Sequence, residues 1–419
     1  MALRLCFAVT ALLAVPACVA AQSGGDTLEL AAAIRQARAA NPMLRSARLD
    51  ADAVAARIPQ AGALPDPQFQ VGLDNRPLAG FGAADPMTMN SYQLTQVLPW
   101  PGKLSSGRDR VRSLARAQRL DADQAEADLI ARVSGVYYRI AYMDRALTVM
   151  GQTRDLLRSF LQVSSAMYGV GTGLQQDVLQ AQVALARMTE DITVMTQDRL
   201  AMAARLNALL GRDATATVGA LELPASEDTL AGVDSLMAMA VRGRPALGAA
   251  RQRVLAAAAG YREARRELFP DLMVGVSYGQ RPRFDDMVSL MVGFTIPLWA
   301  GSRQLPLRQE MRAMQSAEEA RERDVYNETY ARLVELRSQA VRARNLSQLY
   351  ATAILPQARA SVDAALASYR VGQVNFMSIV DNQMTVNRYA TEAVRLLAEY
   401  RETVAQIGAL LGTGLEESR

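Results

Sequence analysis

Few residues in this chain are equipped for chemistry. Histidine is absent from all 419 positions, and the two cysteines, Cys6 and Cys18, both lie close to the start. Without an imidazole there is no Ser-His or Cys-His nucleophile and no histidine-based metal site. No glycine-rich loop of the nucleotide-binding kind precedes a helix. A carboxylate pair could still do acid–base work, but the sequence shows no cleft to hold one. The soft donors that remain are nineteen methionines. Thioethers suit Cu(I) or Ag(I), yet Met188, Met195 and Met202 recur every seven residues among apolar neighbours, where methionine is core filler. The expectation is no enzyme, no cofactor and no metal site.

Those methionines belong to the stretch around which the chain is organised. After the turn Pro99-Trp100-Pro101-Gly102-Lys103, a proline-free run of more than sixty residues reaches Tyr168. It breaks at Gly169-Val170-Gly171-Thr172-Gly173 and returns, helix-like, to Leu210-Gly211. At 1.5 Å per residue the outgoing helix spans roughly 100 Å, far longer than globular helices, so it needs neighbours along its whole side. Leu129, Val133, Val136, Ile140, Met143, Leu147 and Met150 step by four and three, the seam of a coiled coil. The returning arm repeats this with Ala181, Leu185, Met188, Ile192, Met195, Met202, Leu206 and Leu209, and Arg199 interrupts it. Outside the seam the outgoing helix is small or polar (Ala115, Ala117, Ala122, Ala125, Ala127), so core on all sides is not expected.

Composition agrees with long helices. Half the residues are hydrophobic, but aromatics make up 5% and mean hydropathy is zero, which favours alanine-rich helix over one large core. The net charge is +4 with acids and bases interspersed, and no basic cluster carries interleaved aromatics, so no nucleic-acid partner is expected. Residues 1–21 read as an export signal: Arg4, then apolar Leu5 to Val15, then Val19-Ala20-Ala21 as a small-residue cleavage site. A rival reading is lipid attachment at Cys18 after Val15-Pro16-Ala17. In neither case can the mature chain form an internal disulfide. No later run of about 20 apolar residues exists to span a bilayer as a helix.

The period then changes from 3.6 to 2. Strands are expected at 67–75, 87–98, 271–280 and 287–297, each about ten residues with one apolar face and one face of Gly, Ser, Gln and Thr, the length of a tilted transmembrane strand. Trp100, Trp299, Tyr92, Tyr278 and Phe294 sit near their ends, as an interfacial girdle would. Helices are expected at 28–39, at about 43–63 and near 233–241. Landmarks recur in order. Asn41-Pro42 is echoed by Arg244-Pro245, Leu64-Pro65-Asp66 by Phe269-Pro270-Asp271, Pro99-Trp100 by Pro297-Leu298-Trp299, and Tyr168-Gly169-Val170-Gly171 by Tyr369-Arg370-Val371-Gly372. The plan is a duplicated helix–hairpin–long-helix–turn–helix unit, residues 22–243 and 244–419. The fold class is mainly α with a small membrane β-barrel portion. Four strands cannot close a barrel, and an open edge in lipid leaves backbone groups unpaired at several kcal/mol each. Two chains would give a filled bore, three a channel.

The duplicated plan, the Tyr-Arg-Val-Gly turn followed by Val374-Asn375-Phe376-Met377-Ser378-Ile379-Val380-Asp381-Asn382-Gln383, and the terminal Leu410-Leu411-Gly412 resemble the TolC family of outer-membrane efflux proteins. The resemblance covers essentially the whole mature chain. It implies a homotrimer in outer-membrane lipid, a twelve-stranded barrel continued by a coiled-coil α-barrel tunnel across the periplasm. It also implies a periplasmic adaptor (membrane fusion) protein and an inner-membrane pump of the RND type as partners. The Pro-Trp-Pro-Gly-Lys turn is similar to the branch serving heavy-metal efflux. Serving a type I protein secretion system stays open as an alternative, as does a secreted coiled-coil scaffold without a pore.

The same resemblance implies site residues. The two turns would contact the adaptor through Gly169, Val170, Gly171, Arg370, Val371 and Gly372. Acidic residues one turn inside the mouth would form the periplasmic gate, and the matching positions are Asp381, Ser378, Asp177 and Gln180. Carboxylates gathered near an axis would favour cations and respond to pH and divalent ions. Asp177, just past a turn, could instead serve only the positive end of its own helix.

Overall fold

The structure is a computed structural model that describes residues 28–76, 82, 85–224, 230–371 and 373–412. The expected export signal and Cys18 lie outside the described residues. Helices α1 (Leu30–Ala40), α2 (Pro42–Ala55) and α3 (Arg57–Ala61) lead into strands β1 (Gln68–Asp74) and β2 (Met89–Leu98). Next come α4 (Lys103–Gly169), α5 (Gln175–Leu209), α6 (Val233–Gly243) and α7 (Pro245–Arg266). Strands β3 (Asp271–Gln280) and β4 (Met287–Thr295) precede α8 (Gln304–Leu349), α9 (Leu355–Arg370) and α10 (Phe376–Leu411).

The strands form one antiparallel sheet in the order β1-β2-β3-β4, with the two hairpins joined by β2 and β3, where Tyr92 faces Tyr278. The helices follow the same order. The α5 C-terminus abuts the start of α2: the Asn41 amide donates to the Leu209 carbonyl at 2.9 Å, while its oxygen accepts from Met43 and Leu44 and caps α2. Likewise α10 ends against the start of α7, where a Cβ on Gly412 would lie 3.2 Å from the Pro245 ring. The result is a layer four columns wide: α2 with α5, then α4, then α7 with α10, then α8 with α9. Column α4 packs on α2, α5, α7 and α10, and α8 packs on α7 and α10. Residues 212–224, α1 and α6 lie across one face of this layer. They bury Ile34, Val218 and Leu221 against Val133 and Tyr137 of α4, and Leu236 and Met237 against Leu333 and Ile407.

The coiled-coil seam of α4 is buried apart from Leu147, which is half-buried. Met188 is fully buried, while Met195 and Met202 pack onto the same cores, as filler. As expected, core does not surround α4, since Arg119, Arg132 and Arg139 stay exposed, but burial reaches beyond the seam. Ala115, Ala117 and Ala122 are buried, and residues 133–138 are buried without interruption. Small side chains let α7 and α2 approach α4 closely, and residues 212–224 cover its other side.

Prolines explain two further departures. The helix expected over 43–63 hitches at Ala56, because Pro59 has no N–H to give the Ala55 carbonyl. In the second repeat the outgoing helix contains a single wide turn at Tyr350–Ile354, separated from Pro356 by Leu355 alone. Widening the turn relieves the clash of the proline ring with the preceding carbonyls. Arg199, which interrupts the α5 seam, pairs with Asp144 of α4 and also donates to the carbonyls of Val218 and Gly219 at 3.2 and 2.9 Å. The interruption is the anchor of residues 212–224.

Candidate functional site

The two faces of the sheet are chemically opposite because side chains alternate along each strand. Phe69, Val71, Leu73, Val288, Leu290, Val292 and Phe294 are all more than half exposed, Leu290 by 83%. A contiguous apolar band of this kind on an uncovered face is what lipid requires. The other face forms a groove of about 340 Å³ lined from all four strands, including Gln70, Ser91, Gln93, Ser277 and Ser289. A groove fed by every strand marks the concave side. Methionines share that face with the expected polar residues: Met89 packs where a Cβ on Gly279 would lie 2.6 Å from its sulfur.

The expected girdle residues lie at the strand ends. Tyr92 stacks on Tyr278 with ring centroids 6.3 Å apart at one end of the sheet. Phe294, Trp100 and Trp299 mark the other end, with Trp299 largely exposed and Trp100 stacked on Phe269 at 5.1 Å. Beneath Trp100 the sheet is bolted to the helices. The buried Lys103 ammonium lies 2.8 Å from Asp271 and 3.4 Å from Glu267, and Asp271 also accepts from the Trp100 N–H.

At the far end, α4 turns into α5 through Val170 to Leu174. Gly171 has φ +77°, the conformation glycine tolerates, and the Met167 carbonyl accepts from the N–H groups of Thr172 and Gly173. Val170, Leu174 and Val371 are among the most exposed apolar side chains of the helical part. Gly169 is the last residue of α4 and has open space around it. Gly372 and the side chain of Arg370 lie outside the described residues.

The four gate candidates are not alike. Ser378 is committed to capping: its hydroxyl donates to Asn375 Oδ1 at 2.8 Å, and its N–H to the same oxygen at 3.1 Å. Asp177 stands in the first turn of α5, where its charge meets the helix N-terminus, and it helps burial raise the Tyr369 phenol above its ordinary pKa. Gln180 follows it, half-buried, one turn on. Asp381 is exposed and lines a groove of about 720 Å³ between α5 and α10, over Met150 of α4. Glu190 and Asp191 line the same groove, with Arg388 facing them. Matching turn motifs could not reveal these two acids, because their partner Asp381 is nearly two hundred residues away. Within α10 the seven-residue spacing 381-388-395-402 does put Asp381 and Arg388 on one stripe, but it carries no information about α5. Among the described residues no group of three His, Cys, Asp or Glu could hold a metal ion. No described helix is long and apolar enough to cross a membrane.

Comparison with known proteins agrees with this geometry. The family model for outer membrane efflux protein matches residues 33–212 and 236–413. The pyoverdine export outer membrane protein OpmQ of Pseudomonas putida is 24% identical over 87% of this chain and 83% of its own length. The outer-membrane channel OprN superposes with a TM-score of 0.75 at 18% identity, covering 92% of this chain and 90% of that one. The outer membrane protein VceC of Vibrio cholerae gives 0.78 at 15% identity, covering 92% and 96%. Channels of this kind are not enzymes. The chain belongs to the outer membrane efflux protein family, and it is a TolC-type channel of the outer membrane that serves as an efflux exit duct.

Proposed function

We propose that three copies of the chain share one pore: a twelve-stranded barrel in the outer membrane, continued by a ring of twelve helical columns across the periplasm. The observation that carries this reading is the pair of free edges. Among the described residues of one chain β1 and β4 each lack a neighbour on one side, and their exposed apolar faces belong in lipid, where unpaired backbone groups are worth several kcal/mol each. Joining β4 of one copy to β1 of the next removes every edge. The helix columns have the same open flanks, α2 with α5 on one side and α8 with α9 on the other, and the same joining covers them.

The turn end is the periplasmic mouth. Exposed Val170, Leu174 and Val371 offer apolar knobs to a periplasmic adaptor, which couples the duct to an inner-membrane pump of the RND type. Asp381, on the concave face with Glu190 and Asp191, is the gate carboxylate. Asp177 serves its helix terminus and Ser378 its cap. The cargo is a small solute rather than a protein, in keeping with the export role of the OpmQ relative. The test is fractionation with conductance. A heat-dissociable trimer in outer-membrane fractions, with ion current in planar bilayers, is the expected result, and a soluble protein with no current is the contrary one.

A further inference from the structure

Charge changes sign along the concave face. In the groove near the turns, Glu190, Asp191 and Asp381 outnumber Arg388. Midway along the helices, where α5 meets α2, a second groove of about 910 Å³ opens between α2, α4, α5, α8 and α10. It holds Arg132, Arg139, Arg205 and Arg332 against Asp128 and Glu402, four positive charges to two negative, a net +2. All four columns contribute to it, so it lies on the concave side, opposite residues 212–224.

Only part of this positive charge is neutralised locally. Arg139 lies 3.3 Å from Glu402, and Arg332 lies 2.6 Å from Glu335 on its own helix. Among the described residues Arg132 reaches only the Asp128 carbonyl at 3.4 Å and the Met43 sulfur at 3.5 Å. Arg205 makes no hydrogen bond or ion pair with any described residue. Gly135 keeps the floor open, since a Cβ there would press on the Glu402 carboxylate at 3.3 Å. Like charges brought together from separate helices repel, and a groove concentrates their field on whatever enters it. The guanidinium is a planar fork that matches a carboxylate in two hydrogen bonds.

We propose that this groove is a binding station for small solutes bearing two or more carboxylates, so that the duct selects anionic cargo at its waist. The proposal rests on the concave face being the wall of a duct. An anion spanning Arg132 and Arg205 bridges α4 and α5 and takes up the charge that Asp128, Glu402 and Glu335 leave over. Cations that pass the acidic mouth meet the opposite field here, so the waist discriminates against them.

Citrate is the probe. The full-length protein in detergent is titrated with citrate by calorimetry, and the same preparation is inserted into planar bilayers. Saturable binding of one citrate per chain is expected, weakened at least tenfold in R132Q/R205Q and tightened in E402Q, which releases Arg139. Variants are compared only as heat-dissociable oligomers, so misfolding is scored separately. No saturable binding, or equal affinity in R132Q/R205Q, overturns the station; the arginines would then serve a neighbouring copy. A conducting pore without citrate binding overturns the station alone, whereas binding without any conductance overturns the duct reading instead.

Discussion

Gly412 lies so close to the Gly243 carbonyl that a Cβ placed on it would fall 2.1 Å from the oxygen. Gly412 also has φ +70°, so it closes α10 in the left-handed conformation while α7 begins beside it. The first repeat builds the same joint. There Gly211 has φ +66°, and its Cβ would lie 2.8 Å from the Ala40 carbonyl. Gly412→Ala therefore meets both strain and collision. A loss of about 2 kcal/mol or more is expected from strained backbone alone, read as a lower unfolding temperature of the detergent-solubilised protein. Gly169→Ala, with open space and no positive φ, should leave that temperature nearly unchanged.

The ion pair between Arg199 and Asp144 gives a second test. Both side chains are less than a fifth exposed, and Asp144 also accepts from the Leu221 N–H at 3.0 Å. Arg199→Ala leaves a largely buried carboxylate short of its main partner, at a loss of about 2 kcal/mol. Amide exchange in residues 212–224 should speed up while the tips of α4 and α5 stay protected. In R199A/D144A part of the loss should return, because no unpaired charge remains.

Much of this was legible from the sequence, and the reason is periodicity. Seven-residue spacing marked the α4 and α5 seams, two-residue spacing marked all four strands, and glycine-containing turns marked the tips. What periodicity cannot encode is which columns lie side by side. The burial of Ala115 and Ala117 where α4 packs between α2 and α7 depends on neighbours remote in sequence, as does the meeting of Asp381 with Glu190 and Asp191. Arg199 interrupts the α5 seam, and its partner Asp144 sits on the other arm of the hairpin. Ser378 matched the gate pattern, yet its hydroxyl is committed to the α10 cap by Asn375, a local competition that spacing alone does not reveal.

The proposed gate role of Asp381 gives a third test. Asp381→Ala should raise the closed-state conductance in planar bilayers severalfold, and D177A should change it much less, because Asp177 is placed to serve the α5 terminus. Equal closed-state conductance in the parent and D381A would remove Asp381 from the gate.

Exposed apolar residues at the tips are expected to serve docking rather than folding. Val170→Asp and Val371→Asp alter side chains that are 75% and 69% exposed. Each should leave stability within about 0.5 kcal/mol of the parent, as surface changes do. Both should abolish cross-linking to a periplasmic adaptor and the export that depends on it. Full export by V170D/V371D would place the adaptor contact elsewhere.

Whether the pore is shared is decided by mass. Detergent extracts of outer membranes, measured by light scattering with the detergent contribution subtracted, should give a particle of three chains that dissociates only on heating. A stable monomer that stays in solution without detergent would mean that one sheet of four strands protects its own edges, and the shared barrel would have to be abandoned.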